Sequence, residues 1–266
     1  MDNHSILIAI SLTLFAGLST GIGGLIALIA KRTNTNFLSL ALGLSAGVMI
    51  YVSFMEMLPH SVASFTEVFG NKKGMLFLIL SFFGGIASIA LIDFLIPKQS
   101  NPHELKGVED MSKTKYNGLK QTGVVTAITI AIHNFPEGIA TFMSALTSLE
   151  VALPITAAIA IHNIPEGIAV SVPIYHATGS KKKAFWLSLA SGLAEPIGAI
   201  IAYFFLVPFW SSTLNAVVLA AVAGIMVFIS LDELLPSAEK YGKHHLSIIG
   251  LLIGMGIMAI SLYLFI

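Results

Sequence analysis

The chain has 266 residues, 56% of them hydrophobic and 11% charged, with a formal net charge of zero and a mean hydropathy of +0.88. A soluble domain carries about 25% charged residues, so this composition excludes an ordinary soluble fold and points to a lipid bilayer. No cysteine is present, which excludes a disulfide framework and a thiolate metal site. The balanced charge gives no sign of a nucleic-acid partner.

The first apolar run, Ser5 to Ala30, is too long for a cleaved signal and has no basic segment before it, so it reads as a membrane span. Runs of about 20 apolar residues span a bilayer, and eight are predicted in chain order: 5–30, 37–58, 75–97, 122–146, 150–174, 184–208, 214–236 and 246–266. The pattern is an all-α polytopic membrane protein with one domain, 1–266, and short loops. The longest loop, about 98–121, holds five lysines and three acids and is expected to be mobile and cytoplasmic. With an external N-terminus, twelve basic residues fall in cytoplasmic loops and only Lys72 and Lys73 outside. Basic residues stay inside, so both termini are expected outside.

Repeats emerge on comparing spans. IAIHNFPEGIA (130–140) returns 29 residues later as IAIHNIPEGIA (159–169). AGVMIYVSFMEMLP (46–59) aligns without gaps on AGIMVFISLDELLP (223–236), with seven identities in fourteen. GLSTGIGGLIA (17–27) aligns on GLAEPIGAIIA (192–202), with six in eleven, and GIASIAL (85–91) aligns weakly on GIMAISL (256–262). Spans 1, 2 and 3 thus match spans 6, 7 and 8, and span 4 matches span 5. Each partner crosses the membrane in the opposite sense, the pattern of an inverted-repeat transporter.

The polar residues inside these spans carry the chemistry. His133 and Glu137 are i,i+4 on one helix face, with Asn134 beside them; His162, Asn163 and Glu166 repeat the pattern. Pro136 and Pro165 have no N–H, which frees the carbonyls of Ile132 and Ile161. Span 6 adds Glu195 before Pro196, which frees the carbonyl of Gly192. A buried charge costs about 2.5–3.5 kcal/mol on an insertion scale, and no lysine or arginine within the spans is available to pair with these three acids. Imidazole nitrogen with carboxylate and amide oxygen suits a borderline divalent metal such as Zn²⁺, Fe²⁺, Co²⁺ or Mn²⁺, and glutamates from neighbouring helices can bridge two such ions. Glu56, Asp232 and Glu233, each near a proline at a span end, read first as interfacial acids and second as entrance or exit contacts. Met49 and Met226 read as packing, and His60, His103, His176, His244 and His245 as loop residues.

These motifs resemble the ZIP family of divalent-metal transporters, and within it the bacterial zinc-uptake branch. The resemblance covers essentially the whole chain, through HNFPEG, HNIPEG and AEPIG. It implies a 3+2+3 helix arrangement, a cell-membrane location and a homodimer. It implies two adjacent metal sites, one held by His133, Glu137, His162 and Glu166, the other by Asn134, Glu137, Asn163, Glu166 and Glu195. Glu137 and Glu166 would bridge them, and Met49 is the nearest match to a span-2 methionine near the first site. The expected activity is uptake of zinc, with iron, manganese, cobalt and cadmium as further cargo and no resident cofactor or catalysis. Two other classes use similar residues. A membrane-embedded metal hydrolase lacks support, because there is no HExxH and no activated Ser or Cys. A proton-coupled organic-solute carrier leaves the paired histidines without a role.

Overall fold

The computed structural model describes residues 3–29, 35–95, 116–241 and 244–265, and every element among them is helical. Helix α1 is Asn3–Ile29. Helix α2 runs as α-helix over Thr35–Val52, makes one π-turn over Ser53–Met57 and resumes as α-helix over Leu58–Phe69. Helices α3, α4 and α5 are Asn71–Leu95, Tyr116–Thr147 and Leu149–Thr178. Helix α6 has two parts, Lys181–Gly192 and Ala194–Phe205. Helix α7 mirrors α2, with Ser212–Ile229, a π-turn over Ser230–Leu234, and Leu235–Tyr241. Helix α8 is His244–Phe265. Seven of these eight are long and apolar enough to cross a membrane; α4, which carries HNFPEG, is the one that falls outside that group among the described residues.

Several boundaries differ from the sequence pattern. Residues 59–69, assigned to a loop from sequence, continue α2. The wider π-turn just before Pro59 accommodates a residue whose ring would clash with an α-helical carbonyl, and the same device precedes Pro236. Gly70, at φ 75°, then turns the chain straight into α3. Residues 116–121 are the first turns of α4 rather than loop. The rest of the expected mobile segment, including His103, lies outside the described residues. The carbonyl that Pro196 cannot bond, that of Gly192, marks the point where α6 breaks.

Lipid gives helices no hydrophobic reason to associate, so small residues that let backbones touch do the packing. Here most helical glycines fall on crossings, and several of their contacts come in pairs that follow the sequence repeats. Gly17 of α1 and Gly192 of α6 face each other's carbonyls. Gly23 has no room for a Cβ against the Ile164 carbonyl of α5, nor has Gly198 against the Phe135 carbonyl of α4. Gly167 meets the Thr20 carbonyl as Gly138 meets that of Glu195. Gly47 meets the Leu251 carbonyl as Gly224 meets that of Phe82, and Gly254 meets Leu44 as Gly85 meets Ala221. The last pair corrects the weakest alignment: Gly85 corresponds to Gly254, two residues before Gly256, because apolar sequence has little to fix its phase.

The main core is built from α2, α5 and α7, with Met49, Ile155, Ile159 and Met226 fully buried in it. Met49 and Met226 are therefore packed, and each carbonyl takes a 2.7 Å bond from a serine in the following π-turn, Ser53 and Ser230. Helices α3 and α8 lie at the periphery, with most of their length exposed. Between α4 and α5 there is one residue, Ser148. Its hydroxyl accepts from the Glu150 N–H at 3.2 Å, capping α5.

Candidate metal centre

All seven polar residues singled out in spans 4, 5 and 6 are buried: His133, Asn134, Glu137, His162, Asn163, Glu166 and Glu195. Helix periodicity brings His133, Asn134 and Glu137 to one side of α4, and the same spacing does so on α5. The short Ser148 link holds these two helices side by side, and the close approach at Gly138 brings Glu195 of α6 against α4.

Three contacts tie the helices together through these residues. His162 Nε2 of α5 lies 3.3 Å from Glu137 Oε2 of α4. Asn134 Nδ2 of α4, in the amide orientation that satisfies both its ends, donates to Glu166 Oε2 of α5 at 3.3 Å and to the Ile130 carbonyl at 3.0 Å. Asn163 Nδ2 of α5 donates to Glu195 Oε1 of α6 and, at 3.0 Å, to the Ala16 carbonyl of α1. With both amide hydrogens engaged, Asn163 presents its oxygen. That Oδ1 is buried without a hydrogen-bond partner, as are Glu137 Oε1, Glu195 Oε2 and His162 Nδ1. Buried polar atoms are rarely left so. Four such atoms lie on α4, α5 and α6, three of them oxygens.

The three acids are close enough for their charges to act on one another, Glu137 on both Glu166 and Glu195. Among the described residues no lysine or arginine lies mid-helix to offset them; Lys72, Lys73, Lys120, Lys181 to Lys183 and Lys240 sit near helix ends. As placed, no three His, Asp or Glu side chains of the described residues converge on a common point.

His133 departs from the expected set. Its Nδ1 lies 3.3 Å from Glu233 Oε2 on the π-turn of α7, with both side chains largely buried. The Glu233 side chain thus reaches a residue of the polar cluster from a neighbouring helix. The π-turn that carries Glu233 has no mark in hydropathy, so this contact has no signal in the sequence. Its repeat counterpart Glu56 keeps to its own helix and meets His60 Nε2 at 3.2 Å. His244 and Glu239 pair at 2.7 Å on the surface, apart from this cluster.

A family model described as "ZIP Zinc transporter" matches residues 96–262, more than half of the chain. "Zinc transporter ZupT" of Streptococcus mutans is 59% identical over 266 residues, covering the whole of both chains. Proteins of the same name from Lysinibacillus sphaericus and Clostridium perfringens are 57% and 56% identical, each alignment covering 99% or more of both chains. With the all-helical architecture and the buried His–Asn–Glu cluster, these likenesses show that the chain belongs to the ZIP zinc-transporter family, among its ZupT-type members, as a multi-pass membrane transporter and not an enzyme.

Proposed function

We propose that this protein carries Zn²⁺ into the cytoplasm through the cluster on α4, α5 and α6, and that Fe²⁺, Mn²⁺, Co²⁺ and Cd²⁺ are also accepted. The observation that carries the reading is the buried cluster, whose unpartnered carboxylate and amide oxygens sit with no buried lysine or arginine among the described residues. His133, Glu137, His162 and Glu166 hold one ion. Asn134, Asn163 and Glu195 join Glu137 and Glu166 around a second, and the two shared glutamates bridge. The pairs now formed by Glu137 with His162 and by Asn134 with Glu166 open to admit metal, so binding is moderate and the ion can leave. An inside-negative potential favours entry by about 2.3 kcal/mol per charge per 100 mV, roughly double for M²⁺.

The paired glycine crossings and the matching π-turns support a 3+2+3 inverted repeat, which suits alternating access. The lysine distribution supports an orientation with both termini outside. A homodimer rests on the family resemblance. Zinc flux into proteoliposomes, beside a Glu137→Ala, Glu166→Ala double variant, tests the reading. Wild type fills the vesicles and the variant does not; equal behaviour of the two assigns the acids elsewhere.

A further inference from the structure

The two site histidines occupy equivalent places in the repeats, and so do Glu56 and Glu233, each the fourth residue of its π-turn. Their pairings are not equivalent. His133 Nδ1 lies 3.3 Å from Glu233 Oε2. His162 Nδ1, the matching atom, is fully buried and has no hydrogen-bond partner. The acid that repeat symmetry assigns to it, Glu56, is held instead by His60 at 3.2 Å, on the same helix and with His60 44% exposed. Nothing at the α7 end matches this hold, because the residue in the equivalent place is Ser237.

We propose that Glu56 and Glu233 are alternating positioning residues of the transport cycle. Glu233 pairs with His133 in the conformation described here. In the opposite conformation that pair opens, and Glu56 leaves His60 to take His162 Nδ1. Exchanging the conformations of the two repeats generates this arrangement. The reason is physical: a buried imidazole nitrogen without a partner is costly, so each conformation is stabilised by the acid that satisfies its own histidine. The contact of α5 with the π-turn of α2 and that of α4 with α7 give both histidines a neighbouring helix to meet. His60 is then a competitor that biases the equilibrium toward the conformation with Glu233 engaged. The proposal rests on the transporter reading for its purpose but not for its test.

The natural absence of cysteine makes the experiment direct. Spin labels are placed at Glu67→Cys on α2 and Glu150→Cys on α5, both exposed, and the distance distribution is measured in full-length protein in lipid. Glu233→Ala and His60→Gln shift the distribution in one direction, and Glu56→Ala shifts it in the other. No shift, or any other sign pattern, overturns the exchange. His60 is exposed and its variant keeps the fold if Glu233→Ala does not, so the sign comparison survives on His60→Gln against Glu56→Ala. Zinc flux of the parent protein is measured in parallel. Flux without the sign pattern removes this exchange alone; the sign pattern without flux removes the transporter reading alone.

Discussion

HNFPEG on α4 and HNIPEG on α5 share all but one residue, yet their histidines face different partners. His162 turns inward to Glu137, across the α4–α5 contact, while His133 reaches out to Glu233 on α7. The motif fixes which atoms are available on one helix face; the neighbouring helix decides what each atom meets. Two half-sites that differ at one residue can therefore make different contacts in one conformation, which suits the alternating access proposed here.

The largest test of this comparison removes the two acids one at a time. Glu137→Ala and Glu166→Ala should each lower zinc flux by about 100-fold or more, since loss of even a supporting group at a metal site costs about 10–100-fold. Flux assays in proteoliposomes check it, and a large loss from only one variant would break the equality of the twin motifs. The histidines should then separate. His162→Ala, which removes a group lodged among the proposed ligands, is expected to raise the half-saturating zinc concentration about tenfold. His133→Ala should act more on the maximal rate, because its present partner lies on α7; identical kinetic signatures would erase the distinction.

A third comparison concerns the crossings beneath the motifs. Gly138→Ala and Gly167→Ala should each destabilise the protein by about 1–3 kcal/mol, the usual range for overpacking, because each Cβ meets a carbonyl of the crossing helix. Thermal unfolding in detergent reads this, and a harmless substitution at either position would show that its crossing is loose. The smallest expected effect is that of pH. Protons compete with metal for imidazole and carboxylate, so zinc affinity should fall as pH drops through the ordinary histidine range near ~6.5. Titration calorimetry between pH 7.5 and 5.5 measures it, and an unchanged affinity would count against imidazole ligation.

Much of this molecule was legible in its sequence because a bilayer constrains it so strongly. Length and apolarity mark helices, and a glutamate inside one is costly enough that Glu137, Glu166 and Glu195 declare themselves. The exact match of both π-turns to the AG-x-M…E-x-LP alignment shows that the repeat reaches down to backbone geometry. What stayed hidden is equally physical. A π-turn inserts one residue without altering composition, so the aim of Glu233 could not be read from spacing. Gly70 and Gly85 show the same limit. The single-residue turn between α2 and α3 depends on a positive φ, and the register of α3 against α8 depends on which glycine meets a carbonyl.

Ser148 has a consequence beyond capping. One residue between two helices of 32 and 30 residues leaves almost no slack at that end. The two half-sites are yoked, and neither can advance along the membrane normal without the other. In the proposed cycle, sliding falls to the outer flanks of this hairpin, against α2 and α7. The ion would then travel in a coordination shell assembled once and kept throughout the crossing, and preference among metals would belong to the cargo hold rather than to the doors.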